Sequence, residues 1–148
     1  MTPEQITLVQ RTFENIKPVS DLAAGLFYTR LFWLQPSLKN LFTADPAAQR
    51  RKFIQMLEGL VCSLDYPGQF VVIMSKLGEQ HASFGLTAEN YEVAEDALLW
   101  MLERCLRENY NEEIEAAWKE VYQLSVLVMQ KASSSLSGTV DMSLLKQV

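Results

Sequence analysis

The residue with the widest chemical range in this chain is His81, its only histidine. Imidazole can ligate a metal, carry a proton or sit hydrogen-bonded in a core. Phe70, Met74, Leu77 and His81 follow one another at steps of four, three and four, so the ring projects from the apolar stripe of a helix. An inward histidine there is either a hydrogen-bonded core residue or a ligand. A single imidazole excludes a zinc site built from several histidines, and any metal group held between two imidazoles of this chain. Two more polar side chains share apolar stripes. Gln49 heads the row Gln49, Phe53, Leu57, Leu60 and Leu64, either facing inward or solvated at its rim, and Tyr28 stands in the row Ala24, Tyr28, Leu31 and Phe32. A buried phenol needs a partner for its hydroxyl. Polar groups on inward faces around one imidazole point to a pocket.

Helices must position these groups. Prolines 3, 18, 36, 46 and 67 each precede a stretch of helical spacing, and proline is well tolerated in a first helical turn. Thr2-Pro3-Glu4-Gln5 has the form of a capping box, Asp45 caps the start at Pro46, and Thr87 and Asn111 open two further segments. Together these signals predict about seven helices. Apolar positions recur at three and four in Ile6, Val9, Phe13 and Ile16, in Val93, Ala97, Met101, Leu102 and Cys105, and in Ile114, Trp118, Val121, Ser125 and Val128. The run Phe70 to Met74 has strand-like composition, but its stripe continues to His81, so helix is predicted. From Ser133 the composition turns serine-rich, which predicts a domain over residues 1–132 and a flexible tail over 133–148. There is no internal repeat.

The 148 residues are 49% apolar, the size and content of one domain that builds its core without disulfides. Lys and Arg total 13 against 18 Asp and Glu, a net charge of −5, and the longest basic run is Arg50-Arg51-Lys52. Nucleic acid is therefore not an expected partner. No apolar stretch approaches the roughly 18 residues of a membrane span, and the first residues lack an export signal, so a cytoplasmic protein without membrane contact is expected. Cys62 and Cys105 lie in apolar segments and are expected to act as small core residues in a reducing compartment. The acidic surface is compatible with monomer or homodimer.

The segments Leu26-Phe27-Tyr28-Thr29-Arg30-Leu31-Phe32, Pro36-Ser37-Leu38-Lys39-Asn40-Leu41-Phe42 and Leu77-Gly78-Glu79-Gln80-His81, with Tyr91 and Ala117-Trp118 to Tyr122 following in order, carry a family resemblance. Over about residues 3–132 the chain resembles the globins, within them the single-domain bacterial globins akin to flavohaemoglobin globin domains and Vitreoscilla-type haemoglobin. That resemblance implies an all-α globin fold, a three-over-three helical sandwich around one haem b (iron protoporphyrin IX). It implies His81 as proximal iron ligand, with the Leu77 carbonyl taking its other N–H, and Tyr28 with Gln49 as the distal pair. Phe42 would stack on the haem, Lys52 would reach a propionate, and Leu86 and Tyr91 would complete its surroundings. No residue is assigned a catalytic role. With no second histidine, the sixth iron position is expected open or water-bound.

The function so implied is binding of dioxygen, nitric oxide or carbon monoxide for storage, scavenging, transport or delivery. The alternatives are nitric oxide dioxygenation with a separate reductase, and a haem gas-sensor domain. The chain departs from the flavohaemoglobin group at two positions. Phe53 stands where the group usually has a leucine over the iron, and Ser133 stands where it has a glutamate linked to Tyr91. A narrower ligand space and a weaker electronic push on His81 are the expected consequences. With no reductase domain in the sequence, an electron source outside it is expected.

Overall fold

The computed structural model describes residues 1–42 and 45–134. Among them the chain forms α1 (Pro3–Ile16), α2 (Ser20–Leu34), α3 (Pro46–Cys62), α4 (Pro67–Ala82), α5 (Ala88–Leu106) and α6 (Glu112–Ser134), and no strand. Four of the helices start where local hydrogen bonds offset their unpaired N–H groups. The Thr2 hydroxyl accepts from the Gln5 N–H at 3.1 Å, Asp45 from Ala48 at 3.1 Å, Thr87 from Asn90 at 3.3 Å and Asn111 from Ile114 at 2.9 Å. Each such cap is worth about 1 kcal/mol.

Six α-helices stand where about seven were predicted. The stretch after Pro36 tightens into a 3-10 segment, Pro36–Leu41, that ends against Phe42. Leu38 is its only buried residue, so it has no apolar stripe to bury as an α-helix of several turns would. The ambiguous run Phe70 to Met74 is helical, inside α4.

The helices form two layers of three. In one, α3 touches α1 and α4; in the other, α5 touches α2 and α6; across the layers α1 and α4 pack on α6 and α3 packs on α2. This is the three-over-three arrangement that the sequence implied. Trp118 of α6 is fully buried at the join, and its indole N–H donates to Thr12 of α1 at 2.9 Å. The Thr12 hydroxyl passes its own proton to the Leu8 carbonyl at 2.7 Å, so no polar group is stranded there.

Two expectations need correction. Cys62 is exposed, whereas Cys105 packs partly buried against the core as expected, and both are free thiols. The buried stripe of α3 runs through Phe53, Leu57, Leu60 and Val61, and one further residue turns about 100° away from it, which puts Cys62 outside. The helix α6 also continues through Ser133 and Ser134, whose hydroxyls donate to the Gln130 and Lys131 carbonyls. The rest of the tail, 135–148, lies outside the described residues. Among the described residues no helix is long and apolar enough to cross a membrane.

Helix α4 comes close to α6 at Gly78. A Cβ at that glycine would sit 2.7 Å from Met129 Cα and nearer still to the Met129 carbonyl. Those are backbone atoms, which cannot swing aside as a side chain would. Gly78→Ala should therefore push α4 off α6 and lower stability by about 1–3 kcal/mol or more, read as a fall in the urea midpoint. An unchanged midpoint would show that the helix pair is looser than described.

Candidate functional site

His81 occupies the last turn of α4, and the chain leaves that helix through a turn in which Gly85 takes φ +66°, a left-handed conformation natural to glycine. The imidazole Nδ1 lies 2.8 Å from the Leu77 carbonyl. A carbonyl only accepts, so Nδ1 carries the hydrogen and Nε2 keeps its lone pair. Burial pushes the imidazole below its ordinary value near 6.5, against a smaller opposing effect of the Leu77 bond. At neutral pH the ring is therefore uncharged and offers a nitrogen base, which is the form that binds a metal. Among the described residues no three His, Cys, Asp or Glu side chains gather to hold a metal ion. A metal at His81 must bring most of its other ligands with it.

The other polar groups come from α2 and α3. Gln49 is half-buried and its Nε2 donates to the Tyr28 hydroxyl oxygen at 2.9 Å. Burial raises the Tyr28 phenol above its ordinary range, with the Gln49 bond pulling the other way, so the phenol stays protonated. Its oxygen is thus engaged as an acceptor while its single proton is left to donate elsewhere. Aromatic rings hold it in place. Phe27 stacks on Phe53 at 4.2 Å and 19°, and Tyr28 presents its ring to Phe53 at 5.7 Å and to Phe42 at 5.3 Å in edge contacts. Phe53, 7% exposed, is therefore locked into a wall by its partner ring.

One cavity of about 750 Å³ is lined by all nine residues singled out from the sequence: Tyr28, Phe42, Gln49, Lys52, Phe53, Leu77, His81, Leu86 and Tyr91. That volume lies within the roughly 300–1,000 Å³ of small-molecule and cofactor pockets. Lys52 is exposed and makes no ion pair among the described residues, so it stands as a free cation at the rim. Tyr91 is half-buried, and burial raises its phenol. Its backbone carbonyl accepts the Tyr122 hydroxyl. Ser133 is exposed and bonds to its own helix at Gln130, so the turn where the resemblance expects a glutamate supplies no carboxylate.

Residues not singled out also build the cavity. Phe27 and Met74 are two of them. Met74 was legible, standing one step before Leu77 on the stripe of His81. Phe27 was not, because its importance comes from stacking on Phe53, 26 residues away on another helix. Phe84 also lines the cavity, half exposed and edge-on to His81 at 6.4 Å.

The globin family model matches residues 25–129. The chain is 25% identical over 125 residues to a flavohemoprotein of Rhizobium meliloti, a match that covers 78% of this chain and 31% of the relative. It thus spans about a third of the length of that relative. It is 28% identical over 144 residues to the anaerobic nitrite reductase AHB2 of Arabidopsis thaliana, covering 87% of this chain and 91% of the relative. Among solved structures, the hemoglobin of the botfly Gasterophilus intestinalis superposes with a TM-score of 0.82 at 16% identity, over 91% of this chain and all of that one. At that identity the superposition speaks to the fold.

The Gln49 to Tyr28 bond can be weighed directly. In urea unfolding, Tyr28→Phe and Gln49→Leu should each cost less together than the sum of the two alone, with a coupling of about 0.5–1.5 kcal/mol, the net worth of one hydrogen bond. Strict additivity of the two changes would mean that the bond does not contribute to the folded state.

Proposed function

The chain belongs to the globin family, whose members bind haem and diatomic gases, and on that premise we propose that it holds one haem b through His81 and binds dioxygen at a distal side formed by Tyr28 and Gln49. The single observation that carries this reading is the state of His81: Nδ1 is tied to the Leu77 carbonyl, and a neutral ring lines a largely apolar cavity of cofactor size. The donor set fits such a group. It offers one imidazole nitrogen, apolar walls and a free ammonium at the rim, with no further protein ligands gathered for a metal among the described residues.

When bound, haem supplies reversible coordination of a diatomic gas at ferrous iron. The chain's own residues do the rest. The Leu77 carbonyl fixes the tautomer and the plane of His81. Phe42, Phe53, Leu86 and the body of Tyr91 give the cavity apolar walls, and Lys52 offers a cation to the cofactor's carboxylates. Gln49, by donating to the Tyr28 oxygen, turns the phenol proton toward any ligand in the cavity. A charge-assisted bond from that proton to a ligand gaining negative charge is worth about 1.5–3 kcal/mol. Tyr28 is then the direct donor and Gln49 its orienting partner.

A second reading is nitric oxide dioxygenation, with electrons from a separate reductase. The likeness to a flavohemoprotein over the globin-sized part of that longer protein favours it. Sustained conversion of nitric oxide to nitrate in the presence of NADH and a reductase, above the rate of autoxidation, separates catalysis from binding alone. Storage, transport or gas sensing in the cytoplasm are uses of the same binding chemistry, and the unit that carries it is the helical domain that runs to Ser134 at the end of α6.

Adding haem to the purified chain should give an intense Soret band that shifts with carbon monoxide. His81→Ala should lose that band and recover it with added imidazole. Tyr28→Phe should speed dioxygen release by about tenfold or more, the loss of one charge-assisted bond. Failure to take up haem stoichiometrically would remove both readings. An unchanged release rate in Tyr28→Phe would remove the distal role.

A further inference from the structure

Two neighbouring residues near the start of α3 carry the side-chain hydrogen bonds that join it to α2 among the described residues. Gln49 Nε2 donates to the Tyr28 hydroxyl at 2.9 Å, and Nε of Arg50 donates to Asp21 Oδ1 at 2.8 Å. On α2 the two acceptors share one flank. Asp21, Gly25 and Tyr28 follow one another at steps of four and three, so a residue without a side chain stands between them. The stem of Arg50 crosses α2 there, its Cδ 3.8 Å from where a Cβ on Gly25 would stand.

Most exposed ion pairs contribute little, because two long side chains must be held in one geometry. Arg50 differs from that case. Its side chain is 31% exposed against 74% for Asp21, and its stem already lies over Gly25, so the guanidinium needs little further ordering to meet the carboxylate. The neighbouring charges are placed for other work. Arg51 and Lys52 are exposed and make no ion pair among the described residues, and Asp45 gives its carboxylate to the Ala48 N–H at the helix start. Gln49 has less to hold it. Half-buried at the edge of the cavity, it makes no side-chain hydrogen bond but the one to Tyr28 among the described residues, and water can replace that partner. Its backbone N–H bonds to the Asp45 carbonyl, a bond within α3's own first turn that moves with it.

We propose that Arg50 is a positioning residue. Its clasp on Asp21 across Gly25 fixes the first turn of α3 against α2, so that Gln49 meets the Tyr28 oxygen and the phenol proton keeps its direction into the cavity. The effect on a bound ligand rests on the reading of that cavity as a haem and dioxygen site; the clasp itself does not.

The clasp is tested first without haem, by the coupling between Tyr28→Phe and Gln49→Leu in urea unfolding. Arg50→Leu and Asp21→Asn backgrounds should each lower that coupling by about half or more, and Asp21→Glu, which keeps a carboxylate, should retain most of it. Asp21 also stands in the first turn of α2, where its charge favours the helix by itself; a coupling, unlike a stability, cancels that contribution. Salt at about 1 M, which shortens screening to about 3 Å, should lower the coupling in the parent chain and leave it unmoved in Arg50→Leu. With haem and carbon monoxide bound, Arg50→Leu should shift the iron–carbonyl stretching band in the same direction as Gln49→Leu, by a smaller amount, and add nothing in a Gln49→Leu background. A coupling equal in the parent chain, Arg50→Leu and Asp21→Asn overturns the proposal, and so does one absent from the parent chain or equally salt-sensitive without Arg50. A coupling that falls as expected in a chain that takes up no haem upholds the clasp and removes only the ligand reading.

Discussion

The site is built outward from α4, and α4 is held against α6 by a backbone contact that only glycine permits. Gly78 lies between Leu77, whose carbonyl holds the imidazole, and His81 itself. Moving the helix by the width of a methyl group would therefore move acceptor and ring together, and the whole lining of the cavity on that side with them. Packed interiors respond to such intrusions by shifts of whole elements rather than by local give. The chemistry of one nitrogen thus rests on the absence of a side chain three residues earlier.

On the α2 and α3 side the constraint is electronic. Gln49 gives one of its two amide N–H groups to the Tyr28 oxygen and has the second left to donate. This makes the pair directional. The phenol accepts on one side and donates on the other, and polarisation by the incoming bond strengthens the outgoing one. Burial keeps the phenol protonated, which preserves the donor across the neutral range. The stacked pair of Phe27 and Phe53 keeps that donor from rotating away. An occupant packed against the apolar walls of the cavity would link binding to stability.

What the sequence alone disclosed follows the range of the interactions. The caps at Thr2, Asp45, Thr87 and Asn111 were legible because each bond spans three residues. The stripe leading to His81 was legible for the same reason, and so was its carbonyl partner four residues back. The globin pattern brought together site residues of four separate helices, with Phe42 and Leu86 between helices, and all of them line one cavity. The short segment after Pro36 misled, since a proline announces a helical turn without saying how many follow. Cys62 misled because apolar neighbours do not fix a rotation, and one residue along a helix is the difference between core and solvent. The direction of the Gln49 bond and the stacking of Phe27 were beyond reach, since each depends on how two helices cross.

Helix α2 explains why periodicity is a weak guide in a small helical protein with two surfaces to serve. Its inner side supplies Ala23, Ala24, Phe27 and Leu31 to the core and Tyr28 to the cavity. Its outer side supplies Leu22 and Trp33 to solvent. Summed around the axis, the two apolar faces cancel and the helix shows no amphipathic direction, so a search for a single stripe sees the inner row and passes over the outer one. The outer row becomes visible only when its partners on α5 are in place, with Arg30 bridging from Trp33 to Trp100. The outer row thus stands among Asp21, Thr29 and Arg30 on a side of the helix that the core does not reach.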